Sequence, residues 1–232
     1  YNKFIELPEG YESDETIQEL FNKIEKSNKS IFLTGKAGTG KSTFIHYFMK
    51  HTEKNVIALA YTGIASMNIG GQTINSFLRL PLKPLVPDDP DITIFKPFYQ
   101  KRKIIEITDS VIIDEISMLR SDILQAIDYS LRHNGGNSNQ LFGGKQLIFV
   151  GDIFQLPPIV DQRNKIEVEF FKTKYNSEYF FDSLAFKQLN PKIFELTKVH
   201  RQKNEHFINL LNKVRDSSID LESIQELNTK YD

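Results

Sequence analysis

The sequence predicts an α/β fold, a parallel sheet with helices on both faces. Three observations lead there. Short runs of uninterrupted apolar residues recur along the chain, segments of helical periodicity fall between them, and the first run ends in a glycine-rich loop that opens a helix. A strand buried on both faces needs apolar side chains at every position, whereas a strand with one wet face alternates. Parallel neighbours also need a crossover between them, which the intervening helices supply.

Ser13 and Asp14 can cap a first helix in which Ile17, Leu20, Phe21 and Ile24 share one face. Residues 30–34 (SIFLT) read as a buried strand that stops at Gly35, and residues 42–50 as the helix that follows. Residues 55–60 (NVIALA) give a second strand. Thr62 can cap a short helix through Met67, which Gly70 and Gly71 break. Residues 80–97 hold five of the nine prolines (Pro81, Pro84, Pro87, Pro90 and Pro97) and read as an irregular surface insertion. Residues 110–113 (SVII) form a third strand, and Ser121 caps a helix carrying Ile123, Leu124, Ile127 and Leu131. Residues 133–144 form a glycine- and asparagine-rich loop before a fourth strand at 146–150 (QLIFV). A fifth strand covers 193–196, and Phe207, Leu210, Leu211 and Val214 mark a C-terminal helix.

The 232 residues, 40% hydrophobic and 25% charged, have the balance of a soluble globular chain rather than a disordered one. The absence of cysteine excludes disulfides and thiolate metal sites and fits a reducing, intracellular setting. No apolar run approaches the ~20 residues that span a bilayer, so no membrane partner is expected, and no secretory signal opens the chain. A start at Tyr1 suggests a piece of a longer protein. The net charge of −1 lends no general support to a nucleic-acid partner, so any such contact has to come from local placement. The compact basic cluster of Lys96, Lys101, Arg102 and Lys103 reads, taken alone, as a solvated helix face.

Gly35, Lys36, Ala37, Gly38, Thr39, Gly40, Lys41 and Ser42 match the phosphate-loop pattern G-x-x-x-x-G-K-[ST] in full, with Thr43 next along the helix. Glycines let the backbone curl so that successive amides face phosphate oxygens. The helix that follows presents its positive end to the same anion. Lys41 can reach the β- and γ-phosphates of ATP, and Ser42 offers a hydroxyl to Mg²⁺. Asp114 closes a strand, where a carboxylate can hold Mg²⁺, and Glu115 beside it can polarise an attacking water as general base. Gly151, Asp152 and Gln155 follow the fourth strand. There Gln155 would lie near the γ-phosphate, on an extended path set by Leu156, Pro157 and Pro158. Arg201, with Gln202, follows the fifth strand. An arginine there either stabilises γ-phosphoryl charge or makes a surface salt bridge.

Five segments together, GKAGTGKS (35–42), AYTGIASMNIGGQTINSF (60–77), VIIDEISML (111–119), VGDIFQLPPI (150–159) and LTKVHRQ (196–202), resemble the superfamily 1 DNA helicases of the PIF and RecD type. The resemblance implies a RecA-like P-loop NTPase domain in which the strand leading to Gln155 lies between the phosphate-loop strand and the Asp114 strand. It implies ATP and Mg²⁺ as cofactors, Gln155 as γ-phosphate sensor and Arg201 as arginine finger. It further implies that Thr62, Gly63, Asn68, Thr73, Asn75 and Ser76 grip the backbone of single-stranded DNA. Such hydroxyl and amide groups equally cap turns, and Asn75 stands where the family usually carries histidine. Gln18 lies upstream where a glutamine would read adenine, or is simply exposed on a polar helix face. Residues 80–97 fall where the family places a strand-separating wedge.

On the same resemblance, residues 1–29 lead in, residues 30–202 form the motor domain, and residues 203–232 begin a second RecA-like domain. Roles in DNA repair, recombination and telomere maintenance would follow from the family alone. A clamp loader, initiator or remodelling ATPase would share the phosphate loop and the acidic pair but give no reason for the TGIA and GD–QLPP segments. A binding-only scaffold would have no use for Glu115.

Overall fold

The apolar runs assemble into one six-stranded parallel sheet in a computed structural model that describes residues 7, 11, 14–198, 210, 213–215 and 218–229. Its strands are β1 (Ile31–Gly35), β2 (Val56–Ala60), β3 (Gln72–Thr73), β4 (Ser110–Asp114), β5 (Gln146–Val150) and β6 (Lys192–Leu196), in the order β3-β2-β4-β5-β1-β6. All five expected strands are present. The sixth, β3, has only two residues, too few to show any periodicity. β5 lies between β1 and β4, as the resemblance implied.

The four inner strands, β2, β4, β5 and β1, are apolar through their middles because both faces are covered, whereas the edge strands β3 and β6 carry polar, exposed residues. Phe32, Ile57, Leu59, Val111, Ile113, Leu147 and Phe149 point into one core and Ile31, Leu33, Ala58, Ala60, Ile112, Ile148 and Val150 into the other. Each fully buried Ile, Leu or Phe is worth about 1.5–3 kcal/mol relative to exposure. Helices α1 (Glu15–Glu25), α2 (Lys41–His51) and α3 (Gly63–Asn68) cover the second face. Helices α4 (Ile74–Leu78), α5 (Gln100–Ile107), α6 (Ser121–His133) and α8 (Leu184–Leu189) cover the first. Asp14 caps α1 as expected, accepting from Thr16 and Ile17 amides. Helices α7 (Lys165–Lys174) and α8 lie in a stretch where the sequence shows no clear period. Among the described residues the last helix is α9 (Leu221–Asn228).

Two expectations are corrected. Ser121 does not cap α6. It is the first helical residue, and its N–H and hydroxyl donate to the Glu178 and Ser177 carbonyls, so it ties the helix to the loop after α7. Residues 80–97 are irregular but not merely superficial, since Leu80, Leu85, Ile92 and Phe95 enter the first core. Buried side chains from other elements satisfy the backbone of this segment. Leu85 N–H donates to Asp122 Oδ2 (3.0 Å), Phe95 N–H donates to Asn134 Oδ1 (2.6 Å), and Asn134 Nδ2 donates to the Thr93 carbonyl (2.9 Å). Tyr175 donates its hydroxyl to the Leu85 carbonyl (2.6 Å).

Candidate nucleotide and nucleic-acid sites

Gly35 ends β1 at φ 151°. A Cβ there would stand 2.5 Å from the Leu196 carbonyl oxygen and 2.7 Å from Thr39 Oγ1, so only glycine lets β6 and the loop close together. Gly40 sits at φ 90° immediately before α2, a conformation that glycine adopts at no steric cost. Thr39 is buried and donates its hydroxyl to the Lys36 carbonyl (2.8 Å), and Tyr11, also buried, donates to the Gly40 carbonyl (3.2 Å). The loop is thus closed by its own atoms and braced by one tyrosine from ahead of α1.

Lys41 Nζ folds back onto the Gly35 and Lys36 carbonyls, at 2.6 and 3.1 Å. Burial lowers its pKa, while the carboxylates of Asp152, Glu115 and Asp114 act the other way. Ala37 and Ser42 are exposed at the loop, and Thr43 is half-buried.

Asp114 ends β4 and is buried, with Oδ1 accepting the Glu115 N–H at 2.9 Å. Burial pushes its pKa up to about 6. The neighbouring Glu115 charge adds to the rise, and the Glu115 N–H bond and Lys41 oppose it. Glu115 adopts a left-handed backbone (φ 52°, ψ 45°), a strain of about 1–2 kcal/mol for a residue with a Cβ. The strain buys a sharp turn that leaves the carboxylate half-buried at the end of the sheet.

The turn after β5 forms the third wall. Gly151 N–H donates to the Leu33 carbonyl of β1 (3.1 Å), which seats Asp152 at the β1–β5 seam. Asp152 is fully buried, and its carboxylate takes a two-pronged bond from Arg215, Nε to Oδ2 at 2.9 Å and Nη2 to Oδ1 at 3.1 Å. Burial works to raise the Asp152 pKa, but the Arg215 and Phe154 N–H bonds with the Arg215 and Lys41 charges outweigh it and hold the group below the usual carboxylate range. Gln155 N–H bonds the Asp152 carbonyl (2.9 Å), and its side chain is exposed. Arg201 and Gln202 lie outside the described residues.

Arg215 and Tyr11 were missed by sequence reasoning. Asp152 held a signal for the first, because a carboxylate directly after a buried strand needs a cation. Nothing in the local pattern points to Tyr11.

A second set of residues gathers at the carboxyl ends of β2 and β3. Thr62 Oγ1 accepts the Ala65 N–H and caps α3, and Thr73 Oγ1 accepts the Ser76 N–H and caps α4. Capping uses a lone pair and leaves each hydroxyl proton available. Gly63, Asn68 and Ser76 are exposed, and a Cβ on Gly63 would meet nothing within 4 Å. Asn75 is half-buried, with Oδ1 lacking any partner among the described residues. The basic cluster borders this strip. Lys101 donates to the Ser76 carbonyl and lies 5.7 Å over the Phe77 ring, and Arg79 lies 5.0 Å over Tyr99. Gln18 sits on the exposed face of α1.

A phosphate loop at the end of β1, with β5 and then β4 beside it on one side, makes this a RecA-like P-loop domain. The chain belongs to the PIF1-like helicase family, whose model matches residues 12–225. It is 36% identical over 218 residues to the ATP-dependent DNA helicase PIF1 of Saccharomyces cerevisiae, covering 90% of this chain and 24% of that protein. It is 31% identical to Pif1 of Campylobacter jejuni, covering 87% of this chain and 44% of that one. Among solved structures, Bacteroides Pif1 bound to single-stranded DNA superposes with a TM-score of 0.81 at 38% identity, covering 92% of this chain and 48% of that chain. The same Bacteroides helicase with ADP-AlF3 and single-stranded DNA gives 0.79. The chain therefore spans about a quarter of the yeast relative and about half of the solved bacterial one.

Proposed function

We propose that this chain is the ATP-binding and ATP-hydrolysing motor domain of a 5′→3′ DNA helicase that moves along single-stranded DNA. The observation that carries the reading is the meeting of residues 35–42, Asp114 with Glu115, and Asp152 with Gln155 at the carboxyl ends of three adjacent strands. Open parallel sheets bind ligands at that edge.

In this reading Gly35, Ala37, Gly38, Thr39, Gly40 and Thr43 shape or flank the phosphate cradle, and Lys41 exchanges its loop carbonyls for β- and γ-phosphate oxygens. The residues present fit Mg²⁺. Asp114 is a buried carboxylate whose raised pKa marks an unmet demand for a cation, and the exposed Ser42 hydroxyl supplies a second oxygen. Among the described residues no cage of three or more His, Cys, Asp or Glu side chains is gathered, which suits an ion that keeps waters and leans on substrate phosphates. When bound, the ion would neutralise phosphate charge. Glu115 would orient and deprotonate the attacking water, Gln155 would register the γ-phosphate, and Arg201 would stabilise its transferring charge. Gln18 would lie at the base.

Thr62, Gly63, Asn68, Thr73, Asn75 and Ser76 would hold the DNA backbone, with hydroxyl protons and amides as donors to phosphates. Residues 80–97, pinned rather than loose, would serve as a wedge. A second RecA-like domain would close the ATP cleft, so the chain by itself would bind nucleotide, bind DNA weakly and unwind little.

The test is steady-state ATPase activity at low salt with and without single-stranded oligonucleotide, on this chain and on a longer chain that includes the second domain. Strong stimulation by DNA in the longer chain alone supports the reading. Tight ATP binding with no DNA stimulation in either would favour a P-loop ATPase of another kind, and unwinding by this chain alone would remove the need for a second domain.

A further inference from the structure

Asp152 is the least exposed carboxylate beside the phosphate loop, and two cations lie in its surroundings. One is Arg215, whose fork occupies both oxygens. The other is Lys41, at the end of the loop that follows β1. The Gly151 amide donates to the Leu33 carbonyl of that strand at 3.1 Å, which sets Asp152 beside the loop, where its charge favours the charged lysine. A buried carboxylate has to be paired. While Arg215 pairs it, Lys41 rests on two neutral carbonyls, acceptors that a phosphate oxygen readily displaces. With Arg215 absent, Asp152 would be a buried carboxylate stripped of its fork beside the lysine.

We infer that Arg215 is a positioning residue that keeps Lys41 free for the nucleotide's phosphates by satisfying Asp152. The inference rests on the nucleotide-binding reading of the loop. The arginine is built in. Its side chain is only 16% exposed, and its guanidinium lies 4.4 Å over the Phe154 ring, a cation–π contact within the turn that Asp152 organises. Asp152 itself bonds the Phe154 amide through Oδ1 (3.1 Å) and the Gln155 amide through its carbonyl. One ion pair therefore both frees Lys41 and holds the turn that presents Gln155. It also fastens the helical residues 213–215, far along the chain, to the nucleotide edge of the sheet. Lysine could not replace arginine here, because a point charge cannot satisfy two oxygens and stack on a ring together.

The experiment titrates the 232-residue chain with a fluorescent ATP analogue in the presence of Mg²⁺, alongside thermal melts. Arg215→Gln is expected to weaken binding about ten-fold, and Arg215→Lys to recover only part of that loss. The double variant Asp152→Asn with Arg215→Gln removes the competitor as well as its partner. It is expected to bind at least about three-fold more tightly than Arg215→Gln alone. A merely structural arginine would not be rescued this way. If Arg215→Gln does not melt cooperatively, Arg215→Lys, which keeps a cation beside Asp152, takes its place in the comparison. Unchanged binding in Arg215→Gln, or a double variant that binds no more tightly than Arg215→Gln, overturns the inference. Failure of the parent chain to bind the analogue overturns the nucleotide-binding reading instead.

Discussion

The phosphate loop and the proline-rich segment 80–97 are both irregular backbone, and they differ in how far each leans on the rest of the molecule. The loop is shaped by residues within it. Gly35 and Gly40 take their turns, Thr39 bonds Lys36, and Lys41 bonds Gly35 and Lys36. The proline-rich segment is held from outside by Asp122, Asn134 and Tyr175, which come from α6 and beyond α7, and by four apolar anchors in the core. A loop that closes on itself can be reshaped around a ligand without disturbing the sheet. A segment tied to the core transmits any movement to it, and any damage to its ties is felt as lost stability.

The comparison can be broken at either end. The largest effect is expected from Asp122→Ala. Asp122 is fully buried and receives Arg120 at 2.9 and 2.7 Å as well as the Leu85 and Ile123 amides. The change removes the nearest partner of Arg120, which keeps the longer Glu167 contact at 3.6 Å, together with the acceptor of two buried amides. It should cost about 3–5 kcal/mol, seen as a lower urea midpoint, while nucleotide affinity of the folded protein moves by less than about three-fold. A parallel collapse in affinity would show that the two regions are not independent.

Next is Glu115→Gln, which should lower ATP turnover by about 10³-fold with the melting temperature unchanged. Turnover near the parent rate would remove Glu115 from the role of base.

Third, Asp114→Asn should stabilise the protein at pH 8. The folded-state pKa is raised from 3.8 to about 6, so the folded chain holds a proton that the unfolded chain releases. Asp114 therefore costs stability progressively as pH rises from about 4 to about 6, and above that the cost reaches about 3 kcal/mol. The asparagine variant should gain that amount in melts at pH 8, gain little at pH 4, and lose Mg²⁺-dependent turnover. Equal gains at both pH values would refute the assignment. Last, Tyr11→Phe deletes one bond to the phosphate loop and should cost about 1 kcal/mol, with nucleotide affinity changed about two-fold at most.

What could be read from the sequence follows the same division. The phosphate loop and the acidic pair lie in consecutive residues whose chemistry is fixed by local geometry, and the strand faces follow from unbroken apolar runs. What was missed depends on partners distant in the chain. The burial of residues 80–97 needs Asp122, Asn134 and Tyr175, the Ser121 hydroxyl is drawn away by Ser177, and Asp152 is paired by Arg215. Strand β3 escaped because two residues carry no period. Arg201 lies outside the described residues, so its place in the site rests on the resemblance.

The placement of β5 between β4 and β1 has a consequence for how the chain is made. Ser30, at the start of β1, bonds the Leu147 amide 117 residues later, and β1's other neighbour, β6, comes later still. At a synthesis rate of about 5–20 residues per second, the apolar β1 emerges roughly 6–25 seconds before its first neighbour exists. Until then Ile31 and Leu33, which face the second core, can be sheltered by the adjoining helices α1 and α2, whereas Phe32 on the other face waits for residues that follow. The amphipathic helix ahead of β1 thus doubles as a temporary cover for one face of a strand whose partners have not yet been translated.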